Sequence, residues 1–180
     1  MAASLEQLNR AQKEEREVLD FLLSAGAILD FNHFAGTSKD WKSHIDASIT
    51  LPDGEKLDVD LKVYLSYGFI LEHQNRYLWS TGSAHGKQDA FLVHSLKHRW
   101  FARFSRQEVL RLGLSYGAPP DRMTMPRVKD EVREQPYWIY TGNTETNDRR
   151  TGGKKPCYDV VQKIPYESLF QLPSWRTIQL

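Results

Sequence analysis

The sequence predicts a mixed α/β domain: a mixed central sheet flanked by helices. Three observations carry this expectation. The first 25 residues repeat apolar side chains at a helical period, residues 44–63 alternate as a two-stranded hairpin, and the remainder runs as strands, helix, strands and a short terminal helix. No internal repeat or linker interrupts the 180 residues, so residues 1–180 are read as a single domain. With 40% hydrophobic residues, the chain can bury a substantial core.

Ser4, with Gln7 three positions on, is the signature of a capping box. A helical stripe follows through Leu8, Ala11, Val18, Leu19 and Leu22, and Gly26 should stop it. The segment "FNHFAGTSKDWKS" reads as a polar loop leading into the hairpin. In the hairpin, Leu51-Pro52-Asp53-Gly54-Glu55 has the turn chemistry of a three-residue loop, with proline fixing φ and glycine free to take the left-handed conformation. Leu51 then faces Glu55. The same register sets Thr50 opposite Lys56, Ser48 opposite Asp58, Asp46 opposite Asp60 and His44 opposite Lys62. Ile45, Ala47, Ile49, Leu57, Val59, Leu61, Val63 and Leu65 share the other face, which must pack on a core.

Beyond the hairpin, "YGFILEHQNRYLWSTG" reads as one or two strands and "DAFLVHSLKHRWFARF" as a second hairpin turning near Lys97 and His98. Ser105 and Glu108 cap a short helix, "RQEVLRLG", ended by Gly113. "SYGAPPDRMTMP" should be irregular. Strand-like "YWIY" and "YDVVQKI" flank a glycine-rich basic loop, Thr141 to Pro156, and Pro165 opens a terminal helix.

The even face of the first hairpin is unusual. Two aspartates directly opposed across a ladder weaken it by roughly 0.2–1 kcal/mol, and Asp58 adds to the repulsion. Lys62 supplies one positive charge beside Asp60. A divalent cation would offset more, because converging carboxylates are what magnesium requires, with water and phosphate oxygens completing its shell. The alternative is a face whose charges point into water. At about 100° per residue, Glu15 falls within the apolar arc of the first helix while Glu14 and Glu17 fall outside it. A carboxylate on that stripe needs a pair, a hydrogen bond or a metal.

Taken together, Glu15 on a first helix, Asp46 late in a strand, a turn, and Asp60-Leu61-Lys62 on the next strand resemble the PD-(D/E)XK nuclease core, closest in pattern to archaeal Holliday-junction resolvases and related phage nucleases. The matching residues lie within 1–65. Ile45 stands where the motif's proline would be, and strand-like sequence follows Lys62. The resemblance implies a restriction-endonuclease-like core and a Mg²⁺-dependent DNA endonuclease, junction-resolving or site-specific, with Mn²⁺ a possible substitute. It implies that Glu15, Asp46 and Asp60 hold the metal, that these three and Lys62 are the catalytic residues, and that the active form is a homodimer.

Composition narrows the setting. The single cysteine, Cys157, rules out an internal disulfide and a thiolate zinc site, and no apolar run approaches a membrane span, so an intracellular, cytoplasmic protein without membrane contact is expected. A formal net charge of +1 means that DNA must be met by local patches. Lys39 and Lys42 ahead of the hairpin, Lys87, and Arg149, Arg150, Lys154 and Lys155 of the basic loop are the candidates. Two other readings use the same residues: a non-catalytic nucleic-acid-binding module on a nuclease-like scaffold, or a protein-interaction domain of a phage or mobile element. Glu72 and Gln74 could face the site, with a solvent-facing role the simpler expectation.

Overall fold

Val18, Leu19 and Leu22 form the core face of the first helix, α1 (Leu5–Ser24), and the helix stops where the spacing predicts. Gly26 takes φ +69°, and the amides of Gly26 and Ala27 return to the carbonyls of Leu23 and Leu22. Ala11, expected on the same stripe, is exposed. The computed structural model describes residues 5–64, 68–75, 80–95, 100–117, 137–147 and 154–178. Ser4, Leu65, Trp79, Lys97, His98, Arg149, Arg150 and most of "SYGAPPDRMTMP" fall outside them.

Ten strands follow in chain order: β1 (Asp30–His33), β2 (Ala47–Thr50), β3 (Lys56–Tyr64), β4 (Gly68–Asn75), β5 (Ser80–Thr81), β6 (Ala90–Ser95), β7 (Trp100–Ser105), β8 (Tyr137–Asn147), β9 (Lys154–Pro165) and β10 (Arg176–Ile178). A mixed six-stranded sheet has the order β1-β2-β3-β6-β7-β10, in which β3 and β6 are parallel and every other pair is antiparallel. The other four strands form a second, antiparallel sheet, β5-β4-β9-β8. The chain is therefore mixed α/β with a mixed central sheet, as expected, and its described residues form two sheets.

The hairpin register is as the turn chemistry dictates. Ser48 pairs with Asp58 and Thr50 with Lys56, the Leu51 amide donates to the Glu55 carbonyl, and Gly54 has φ +88°. Two expectations fail at its open end. The stretch ahead of it holds β1, paired with β2, and a short helix α2 (Ser38–Ser43) instead of a loop. His44 is the left-handed cap of α2, φ 53°, and so does not pair with Lys62. Asp46 accordingly sits one residue before β2.

Alternation decides which sheet face meets which partner. Leu19 and Leu22 of α1 pack with Ile49, Val59, Leu61 and Leu92 on one face of the six-stranded sheet. On the other face, Phe91, Val93 and Phe104 meet Phe69 and Leu71 of β4, Ile164 of β9 and Val109 of α3 (Arg106–Ser115). Each such fully buried side chain contributes roughly 1.5–3 kcal/mol. Trp100 is part of this second cluster, edge-on to Tyr166 and Trp175. Both faces are covered at the open end of the hairpin, so Asp46 and Asp60 of its even face look into the protein, while Lys56 near the turn stays exposed.

Further along, three local expectations are corrected. The α3 helix runs past Gly113 to Ser115, and Ser105 makes no side-chain cap; Glu108 instead accepts from the amide of Ser174 (2.9 Å), tying the C-terminal segment to the helix. Most of Thr141 to Pro156 is strand, because β8 extends to Asn147 and β9 begins at Lys154. Pro165 opens α4 (Tyr166–Leu169) as expected.

Gly113 has a role other than stopping the helix. Its carbonyl accepts from Gln162 Nε2 (2.8 Å), and an added Cβ would overlap Gln162 Oε1. Gly113→Ala is expected to destabilise the protein by about 2 kcal/mol in denaturant titration, even though alanine favours a helix by about 1 kcal/mol. An unchanged or raised midpoint would show that Gln162 moves aside freely.

Candidate active site

The site is assembled where α1, α2 and the first hairpin meet. Register with β6 sets Asp60 beside Phe91 and Lys62 beside Val93, both of which belong to the inner cluster. Asp60 is therefore 1% exposed and Asp46 9%. The solvated alternative for these two residues is excluded.

Asp46 enters from α2. The left-handed His44 turns the chain, a conformation that is strained for a residue with a Cβ, and the Asp46 amide then donates to the Val59 carbonyl (2.9 Å). The Asp46 side chain reaches β3, where Oδ2 accepts from the Leu61 amide (2.7 Å). That bond sets its carboxyl beside Asp60. Burial, followed by the Asp60 carboxylate, pushes Asp46 up to about 6, while Lys62 and the Leu61 amide pull in the opposite direction.

Asp60 is pushed up chiefly by burial, with Lys62 opposing. The Lys62 ammonium lies against Oδ1 as an ion pair. Beyond that contact, neither Asp60 oxygen has a donor among the described residues unless Asp46 carries a proton. The Asp46 and Asp60 carboxyls bond to each other only when one of them carries a proton. With both ionised, each presents only acceptors, and Asp60 Oδ2 becomes a buried acceptor without a donor. Such a group costs about 1–3 kcal/mol or more, being charged.

Glu15 is drawn inward as its place on the stripe predicts: its side chain is 23% exposed, against 46% for Glu14 and 65% for Glu17. Its partner is His33 on β1, whose Nε2 lies 3.1 Å from Oε2. Burial, then the Asp46 and Asp40 carboxylates, push Glu15 up to about 8, with Lys62 opposing. Burial pushes His33 down. The pair therefore meets as a neutral hydrogen bond near pH 7.

Asp40 of α2 completes the group. Its Oδ2 accepts from the Gly36 amide (2.9 Å), and burial, then Asp46, push it up. Lys62 thus acts on four carboxylates, those of Glu15, Asp40, Asp46 and Asp60. With His33 neutral, these four carboxylates and Lys62 sum to −3 when all are ionised and to −2 while Glu15 keeps its proton. Glu72 also raises Asp60, so its carboxylate is felt inside the protein although it stands half-buried on β4.

Of the residues expected from sequence, Asp46, Asp60 and Lys62 come together and Glu15 stands within their field, bonded to His33. Among the described residues, no three His, Cys, Asp or Glu side chains form a ready metal cage. A pair of carboxylates suffices for magnesium, which is held by one or two carboxylates plus phosphate and water. The buried, donor-poor Asp60 oxygen fits that demand.

His33 and Asp40 were missed because both lie in the stretch taken for a loop. Asp40, six residues before Asp46 on a helical turn, carried a signal that a search for short helices could have found. Of the basic candidates, Lys39, Lys42 and Lys87 are all exposed, and Lys39 Nζ lies 4.2 Å over the Phe34 ring. Lys154 and Lys155 sit on β9 opposite Asn147 and Thr146. No helix of the described residues is long and apolar enough to cross a membrane. Comparison with known proteins finds no family model, curated protein or solved structure that matches the chain.

Proposed function

We propose that the protein is a metal-dependent DNA endonuclease that hydrolyses phosphodiester bonds at Asp46, Asp60 and Lys62, on a restriction-endonuclease-like core. The observation that carries the reading is the acidity of the site: among the described residues, Lys62 is the lysine acting on four carboxylates, and a buried Asp60 oxygen lacks a donor when Asp46 and Asp60 are both ionised. A folded protein tolerates this only by holding protons there or by taking up a cation.

Asp46 and Asp60 would hold Mg²⁺, or Mn²⁺ in its place, with Glu15 reached through the shared field. A bound divalent ion supplies Lewis-acid polarisation of the phosphoryl oxygen and a lowered pKa for an attacking water. The chain supplies the rest. The Leu61 amide fixes the Asp46 carboxylate, so its free oxygen is aimed before substrate arrives. Lys62, braced by Asp60, offers its ammonium to the negative charge that develops on the phosphoryl group. The His33–Glu15 bond fixes the Glu15 rotamer and stores a proton at the edge of the site. Coordinated cutting of two strands calls for two such sites, so a homodimer belongs to the same proposal.

The test is incubation of the full chain with four-way junctions, linear duplex, flaps and single strands in Mg²⁺ or Mn²⁺, mapping products on both strands. Cleavage of at least one substrate, lost on chelation, is the expected result. No cleavage of any substrate, together with no magnesium binding by calorimetry, would refute the proposal.

A further inference from the structure

Two segments are pinned together at the rim of the acidic site. The α2 helix ends at Ser43, three residues before Asp46, and a 3-10 turn (Ser83–His85) leads through Gly86 and Lys87 into β6. The Lys87 amide donates to the Ser43 carbonyl (2.8 Å), which sets Lys87 next to the residue that follows Lys42. The approach is close. A Cβ on Gly86 would lie 2.9 Å from Ser43 O and from His44 Cβ, and would collide with Gln88 Oε1.

The turn that carries Lys87 is held from behind. Buried Gln88 donates from Nε2 to the Ser83 carbonyl (2.6 Å), and Arg106 donates from Nε to the Gln88 carbonyl (2.9 Å) and from Nη1 to the Ala84 carbonyl (3.1 Å). A segment fixed in this way has little conformational entropy left to lose when its side chain engages a ligand. Lys42 and Lys87 are both exposed and make no ion pair among the described residues. Lys39 differs, being seated over Phe34.

Electrostatics then asks for an anion at this rim. The chain as a whole carries only +1, and the site beside the rim is acidic, so a phosphate backbone approaching it is repelled unless cations stand at the edge. We infer that Lys42 and Lys87, carried on two backbone segments that the Lys87–Ser43 bond joins at the Gly86 junction, form a seat for a DNA phosphate flanking the one that is cut. The choice of DNA rests on the nuclease reading; the seat itself rests on the junction and the two lysines.

Binding can be read without cleavage. The anisotropy of fluorescein-labelled junction and duplex DNA, titrated with the full chain in EDTA over a salt series, gives affinity and salt slope. Each phosphate contact removed lowers the slope of log K against log salt by about 0.9. Lys42→Ala/Lys87→Ala is expected to remove that one phosphate contact, lowering the slope by about 0.9, and to weaken low-salt binding about tenfold or more. Lys39→Ala should leave both unchanged. Gly86→Ala, checked for folding by circular dichroism, should weaken binding with both lysines still present. Wild-type protein that binds through these lysines but never cleaves leaves the seat standing and removes the nuclease reading. Cleaving wild type with the double variant unchanged in slope removes the seat alone. Failure of wild type to bind DNA, or equal losses in Lys39→Ala, also overturns it.

Discussion

Asp60→Asn is expected to abolish magnesium-dependent cleavage, by about 10³-fold or more, and at the same time to raise the stability of the metal-free protein. The two effects have one cause. Asp60 is buried with the ammonium of Lys62 at one oxygen and no donor for the other, so the folded chain bears the desolvation of a charge that only a cation fully answers. Asparagine keeps the shape, removes the charge and can donate to Asp46, which should stabilise by about 1–2 kcal/mol at pH 8. Asp46→Asn should behave alike: with the carboxyl pushed up to about 6, ionising it at pH 8 opposes folding by about 2–3 kcal/mol. Its Oδ atom still accepts from the Leu61 amide. Lys62→Ala is the opposite case, because it leaves a buried carboxylate without its counter-ion, and a loss of about 3–5 kcal/mol is expected. In Asp60→Asn/Lys62→Ala most of that loss should return. Initial cleavage rates and thermal melts in EDTA at pH 8 decide the matter. An Asp60→Asn protein that melts several degrees lower, or cuts within tenfold of wild type, would mean that the buried charge is neither a burden nor a tool.

How far the sequence discloses this site depends on the range of the interactions that build it. The hairpin was legible because its determinants are local: Pro52-Asp53-Gly54 fixes the turn, the Glu55 amide donates to Asp53 Oδ1 (3.0 Å), and alternation then fixes every pair from Ser48 to Asp58. The inward pull on Glu15 was legible from helical period alone. What covers the even face was not, since β4 and β9 are joined by pairs such as Phe69 with Ile164, nearly a hundred residues apart, and no pattern within either strand declares its partner. β1 escaped notice because "DFNH" is only four residues long and its pairing depends on β2 being in place. The α2 helix, six residues long, hides between Gly36 and a left-handed His44 that no turn residue announces. Glu108 and Ser105 had the spacing of a capping box, yet Glu108 bonds to Ser174, a tertiary partner winning over a local one. Gly113 reads in sequence as a helix stop and is in the fold a point of close approach. The carboxylates and lysine that the fold brings together were therefore readable on the locally encoded hairpin and helix, while their neighbours His33 and Asp40, on segments ordered by tertiary contact, were not.

Metal-free protein should be most stable near pH 6–6.5 and lose stability as pH rises toward 8, with magnesium restoring it. The sign follows from proton counts. Glu15 and Asp46 have raised folded values, about 8 and about 6, so above the unfolded carboxylate range the folded state holds more protons and stability falls with rising pH. His33, His94 and His73 are pushed down, the last to about 4, each chiefly by burial. They bind fewer protons folded than unfolded, so their contribution is lost as pH falls below about 6.5. Between about pH 4.5 and 6.5 the two groups oppose each other. Between about pH 6.5 and 7.5 the unfolded histidines finish losing their protons and offset part of the loss from Glu15; above about 7.5 they are neutral in both states and the raised carboxyls, Glu15 and buried Asp60 among them, act unopposed, so a net loss of about 1 kcal/mol is expected by pH 8. Glu15→Gln keeps the contact with His33 and should flatten this limb. Magnesium binds the ionised carboxylates and the folded state only, so 10 mM of the ion should raise the melting temperature more at pH 8 than at pH 6.5. Chemical denaturation at intervals across pH 5–9, with EDTA or Mg²⁺, reads all three effects. A profile that rises from pH 6.5 to 8 in EDTA, or a magnesium increment that is the same at both pH values, would separate the titrating carboxylates from the cation site, and the Glu15–Asp46–Asp60 group would then be a structural network held together by protons.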